Sequence, residues 1–203
     1  MEKLYFGEKF ILMKSLKLTA LFVCVHVCYA SAQLKLGITS SLRSDFQKIM
    51  AEYPQHFEGI RGEVINQNPQ TVEYVSQLKL ADAEECFITK YSSGLKPIYS
   101  WQALMFTSED FEAAYKKYKW VFSQLKGMNI YYVKDQYTLK GNFEEANESR
   151  KFTNSILTPA APPDPLKKLK IDVALQFEFP EWKVKLIVYE KEREDDERGE
   201  IEE

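Results

Sequence analysis

The stretch LKIDVALQFEF, residues 169–179, alternates without a break. Leu169, Ile171, Val173, Leu175, Phe177 and Phe179 point one way, and Lys170, Asp172, Ala174, Gln176 and Glu178 point the other. A period of two marks a strand with one face on a core and one face in water. Pro180-Glu181 turns the chain, and Trp182 to Tyr189 repeats the pattern with Trp182, Val184, Leu186 and Val188 inward. Together they predict an antiparallel hairpin, and the sheet it anchors decides the fold class.

Working back along the chain, three more strands follow one another at hairpin spacing: Val72 to Leu80, Glu85 to Tyr91 and Pro97 to Phe106. Ala81-Asp82-Ala83 and Ser92-Ser93-Gly94 supply the turns between them. Val72, Tyr74, Leu78 and Leu80 share one face, while the third strand is apolar on both faces toward its end and belongs in the middle of a sheet. Phe57 to Ile65 predicts a short strand ahead of these, closed by the turn composition of Asn66 to Gln70, and Asn129 to Leu139 predicts another.

Two helices are legible. Leu42, Phe46, Ile49, Met50 and Tyr53 make an apolar face over residues 40–53, capped by Thr39, Ser40 or Ser41 and ended by Pro54. Residues 108–126 carry an unbroken stripe of Phe111, Ala114, Tyr115, Tyr118, Val121, Phe122 and Leu125, with Thr107 or Ser108 as cap and Gly127 as stop. Residues 141–166 read as one long irregular segment. A polar piece compatible with a helix, Phe143 to Lys151, runs into the proline-rich Thr158 to Pro165, which is kept out of any sheet interior.

Antiparallel hairpins with helices beside them predict an α+β two-layer sandwich, a mostly antiparallel sheet with two helices on one face. The order of elements resembles that of type III secretion chaperones and their relatives. That resemblance is one of order alone, and it implies nothing about activity.

The N-terminus predicts export. Lys14 and Lys17 precede an apolar run from Leu18 to Cys28, and Ala30-Ser31-Ala32 forms a small-residue cleavage site before Gln33. The run is too short for a membrane span, which needs about 20 apolar residues. Glu2 and Glu8 sit poorly in such a leader, so Met13 is the expected start. On this reading residues 1–32 leave, 33–189 form one domain, 190–203 are an acidic tail without structure, and the protein is periplasmic or secreted, with no membrane span.

Cleavage removes four lysines and two glutamates, leaving 23 basic and 28 acidic residues. Residues 190–203 hold nine acids and three bases, so the body is close to neutral and offers no global field for nucleic acid. Cys24 and Cys28 leave with the leader, and Cys86 alone cannot make an intramolecular disulfide.

Catalytic constellations are sparse. His56 and Cys86 are the only pair available for thiol chemistry, but Cys86 lies mid-strand where a cysteine acts as a small hydrophobe. One cysteine and one histidine do not make a zinc site, and no cofactor is expected. Glu84-Glu85 and Glu144-Glu145 are adjacent carboxylates that diverge on any regular element and read as surface charge. Asn147-Glu148-Ser149 is a glycosylation sequon. The remaining signal is aromatic: Trp120, Tyr131, Tyr132 and Tyr137, placed near the proline-rich stretch, would line an apolar groove. The expected function is a non-catalytic binding module of the cell envelope with a protein, peptide or lipid partner, meeting it through a sheet face or residues 141–166. The alternatives are a hydrolase whose carboxylates meet only in the fold, and a carrier with an apolar cavity beneath helix 108–126.

Overall fold

The computed structural model describes residues 42–92 and 96–190, all within the compact unit Ser41–Glu203. The leader, the first helix's cap and residues 191–203 of the acidic tail lie outside the described residues. Nine strands form one antiparallel sheet: β1 (Arg61–Gln67), β2 (Thr71–Ser76), β3 (Glu85–Tyr91), β4 (Ile98–Ser108), β5 (Asn129–Tyr132), β6 (Asp135–Lys140), β7 (Phe152–Pro159), β8 (Leu169–Glu178) and β9 (Glu181–Glu190). Helix α1 runs through 42–52 and α2 is Phe111–Leu125. The class is α+β.

The sheet order is β1-β2-β3-β4-β9-β8-β7-β6-β5. Each half is a helix followed by a meander, α1 before β1–β4 and α2 before β5–β9. The last strands of the two halves pair antiparallel at the centre, from Ser100↔Tyr189 to Ser108↔Trp182. β4 is therefore central, as its two apolar faces predicted. Its inward Trp101 and Ala103 lie opposite Val188 and Leu186, and β8 continues the layer through Ile171 and Val173. α1 joins the same hydrophobic core through Leu42, Phe46, Ile49 and Met50. α2 joins it through Ala114, Tyr118, Val121, Phe122 and Leu125. Burying each of the larger side chains stabilises the fold by about 1.5–3 kcal/mol. Among the described residues no helix is long and apolar enough to cross a membrane.

The 169–189 hairpin forms as read, with two corrections. Phe179 is 89% exposed because β8 ends at Glu178, so the ring falls in the turn. The outward face is not uniformly wet either: Ala174 and Asp172 are buried there, Asp172 only 7% exposed.

Other boundaries move for local reasons. β4 runs on through Ser108, so α2 is capped by Asp110, whose carboxylate accepts from Glu112 N at 2.9 Å. Residues 129–139 are two strands rather than one, reversed at Val133 in the left-handed region (φ 58°). Phe57 to Ile60 is not strand: Phe57 is left-handed and Glu58–Ile60 form a 3-10 turn, so the first strand starts at Arg61.

The largest correction concerns residues 141–166. Phe152–Pro159 is an interior strand between β8 and β6, and residues 143–147 have no helix. Pro159 is tolerated because it ends the strand. Ala160 N donates to Thr138 O at 2.9 Å on the β6 side, and pairing with β8 stops at Leu157↔Ile171, so the missing N–H breaks no ladder bond. Inward on β7 are Thr153, Ser155 and Leu157, all buried. Ser155 serves Tyr118: the two hydroxyl oxygens lie 2.6 Å apart, Tyr118 donates to Glu144 O at 3.0 Å, and Glu144 N donates to Ser155 Oγ at 2.8 Å. Burial, with the Ser155 hydrogen bond opposing it, pushes the Tyr118 hydroxyl up to about 12. This ring ties the segment before β7 to α2.

Candidate functional site

The site begins where α1 ends. Pro54 lacks the N–H that would continue the helix, and Tyr53–Gln55 tighten into a 3-10 turn. His56 N donates to Tyr53 O at 3.0 Å and Phe57 N to Glu52 O at 2.9 Å, the paired bonds of a Schellman ending. His56 takes the left-handed conformation (φ 54°) that this ending needs, and Phe57 repeats it (φ 60°) before its ring drops into the core. Glu52 then accepts from Gly59 N at 3.2 Å, and buried Ile60 delivers the chain to Arg61 at the start of β1.

The reversal throws His56 onto β4. Its ring stacks on Tyr99 with centroids 5.5 Å apart and planes 27° from parallel. Arg61 closes on the same tyrosine, its guanidinium carbon 4.7 Å from the Tyr99 centroid and 5.9 Å from that of Tyr74. Arg61 Nε is buried and, among the described residues, has no hydrogen-bond partner. Two aromatic faces satisfy part of the guanidinium's charge, but an N–H left without an acceptor costs about 1–3 kcal/mol.

These three side chains line a cleft of about 890 Å³ together with Lys96, Lys168 and Glu190. Lys168 and Glu190 pair at 3.3 Å. Glu58 also reaches the cleft, which leaves Arg61 and Lys96 against one exposed carboxylate. A second cleft, about 420 Å³, shares His56, Gln55 and Glu190 and adds Tyr53, Tyr132 and Pro165. Burial, helped by the Glu190 carboxylate, pushes the Tyr53 hydroxyl well above its usual range.

Of the aromatic residues picked from sequence, only Tyr132 lines this region, beside Pro165 of the proline-rich stretch. Tyr137 is half-buried on the same face of the β5–β6 hairpin, opposite Ile130. Tyr131 faces the other way and is 52% exposed. Trp120 is half-buried on α2 with the Lys117 ammonium 4.6 Å over its ring.

His56 and Cys86 are kept apart. Cys86 pairs with Ala103, four residues along β4 from Tyr99, or roughly 13 Å at strand rise. Burial pushes its thiol pKa up, so the protonated form is favoured. The adjacent glutamates are exposed. Glu84 accepts from Thr107 Oγ1 at 2.8 Å, Glu144 lies 3.8 Å from Arg150, and Glu145 accepts from Tyr115. No group of three or more His, Cys, Asp or Glu side chains suited to a metal ion occurs among the described residues.

Sequence reading passed over Arg61, Tyr99, Lys168 and Glu190, which are spread over 130 positions. The one local signal was His56 beside Pro54 at a helix end. Comparison with protein-family models, curated proteins and solved structures finds no match.

Proposed function

We propose that the chain is an exported, non-catalytic binding module, and that its ligand presents an anionic group to the cleft around His56, Arg61 and Tyr99. The observation that carries this is the Arg61 guanidinium, held on the Tyr99 and Tyr74 rings at the wall of a cleft. A guanidinium offers a planar fork of donors that matches a carboxylate or phosphate. Tyr99 and Tyr74 hold that fork, and the part of the guanidinium that lines the cleft would meet the ligand's oxygens. The His56–Tyr99 stack and Pro97 give the cleft an apolar wall for the rest of the ligand. In this reading the helices and the inner sheet face are the two layers of a sandwich, with the cleft at their margin. The partner is an envelope or extracellular peptide or protein segment carrying an acidic side chain.

The test is fluorescence anisotropy with an array of short acidic peptides, using the wild type and Arg61→Met. The methionine keeps much of the stem's packing and removes the fork. Saturable binding that weakens with salt and falls at least tenfold in Arg61→Met supports the reading. Binding indifferent to the substitution, or none across the array, overturns it. A second reading, a hydrolase, is favoured by Glu58 and Glu190 lining one cleft, and cleavage of a bound peptide during the titration would distinguish it.

A further inference from the structure

The chain contains one Asn-x-Ser/Thr tripeptide, Asn147-Glu148-Ser149. It sits in the connection from β6 to β7, and every residue from Asn147 to Arg150 is exposed. Arg150 N donates to Asn147 O at 2.8 Å, which closes a four-residue turn. Inside the turn, Asn147 Oδ1 accepts from both Ser149 N and Ser149 Oγ, each at 2.9 Å. The acceptor's carbonyl is thus held by the hydroxyl of its own sequon, and Nδ2 takes no part in either bond.

We propose that Asn147 is a site of N-linked glycosylation. The donor class is a lipid-diphosphate-linked oligosaccharide. Nδ2 forms a bond to the sugar's anomeric carbon, and the bond from that carbon to the diphosphate oxygen breaks. The diphosphate leaves with the electron pair, and the Nδ2 proton passes to a base of the transferase. As Nδ2 gives up its proton, negative charge builds on Oδ1, where the Ser149 hydroxyl and amide already donate. The base of the connection stands on α2, with the Phe143 ring 5.1 Å from that of Tyr118 and 5.3 Å from that of Phe122. The turn is therefore an exposed tip on an anchored stem, where a bulky polar chain meets only solvent.

The site acts only if the chain enters a glycosylating lumen, so the test follows export and modification separately. The full chain is produced in cultured animal cells, and medium and cell fractions are treated with peptide N-glycosidase, which converts a glycosylated Asn to Asp. Expected are secreted protein whose gel mobility rises on treatment, Asp at position 147 by peptide mass spectrometry, loss of the shift in Asn147→Gln and in Ser149→Ala, and its retention in Ser149→Thr. Secreted protein with bare Asn147 overturns the proposal. So does a mobility shift that survives Asn147→Gln, or a chain confined to the cytosol.

Discussion

Asp172 occupies a position where an apolar side chain belongs. Register aligns Val75, Phe87, Gln102, Ile187, Asp172 and Ile156 in one row across the outer sheet face. Asn154 Nδ2 donates to Asp172 Oδ2 at 2.8 Å, while Oδ1 is buried without a partner among the described residues. Burial raises the carboxyl pKa above its ordinary 3.8, and the Asn154 bond only partly opposes this. Asp172→Val removes an unpaired buried oxygen, which costs about 1–3 kcal/mol, and gives up one hydrogen bond, about 0.5–1.5 kcal/mol, from a half-buried partner. The net expectation is a gain of about 1–2 kcal/mol at pH 7, or about 2–8 °C in Tm for a chain this size. With the folded pKa raised, the native state holds its proton longer than the unfolded chain does. Wild-type stability is then fullest below the unfolded value and falls as pH rises through the folded one. The advantage of valine must therefore shrink toward pH 3. Thermal unfolding followed by circular dichroism at pH 3, 5 and 7 measures it. A lower Tm for Asp172→Val at pH 7, or a gain independent of pH, refutes the account.

Two further perturbations probe the β6–β7 region. At Gly141 an added Cβ would lie 2.1 Å from Ile156 O and 3.0 Å from Leu157 Cδ2, and backbone cannot swing aside. Gly141→Ala is expected to cost about 3 kcal/mol, the upper end for overpacking, read as a lowered urea midpoint; a loss under about 1 kcal/mol would mean the strands separate easily. Tyr118→Phe keeps the ring but opens the hydrogen-bonded circuit with Ser155 and Glu144, at about 1–3 kcal/mol. Hydrogen exchange at the Glu144 amide should quicken while β8 and β9 amides keep their protection, and unchanged protection at Glu144 would show that the segment is held by other contacts.

The parts of the fold legible in the sequence were those where side-chain period and burial agree. β8, β9 and α2 place large apolar residues at every second or every third to fourth position, and little else explains such spacing. β7 was hidden because two of its inward positions are Thr153 and Ser155, hydroxyls that read as loop until Tyr118 is seen to need one of them, and Leu157 is the one large apolar side chain on that face. The β5–β6 reversal was hidden because Val133 is a β-branched residue at positive φ, a place where glycine or asparagine is the usual mark. The cleft was invisible for a different cause. Charges and aromatics scattered from Glu58 to Glu190 have no common period, and only strand pairing assembles them. Of the aromatics picked from sequence, Tyr132 lies with Pro165 in the second cleft, while the cations of the first cleft were passed over.

The two helix endings bear on which cleft residue the proposed binding would use. Each helix needs a left-handed residue just beyond its end. α2 uses Gly127 (φ 75°), which has no Cβ to clash and donates its N–H to Leu139 O at 3.0 Å. α1 uses His56, and Phe57 follows in the same conformation. Phe57 is explained by its buried ring, which the reversal sinks into the core. His56 has no such anchor, since its ring lies on Tyr99 at the cleft wall. A left-handed side-chain-bearing residue costs roughly 1–2 kcal/mol that glycine would avoid. Folding alone would be served as well at position 56 as it is at 127 by a residue without a side chain. The imidazole at that position lies on the tyrosine that also carries Arg61, so under the proposed binding it would stand against the ligand.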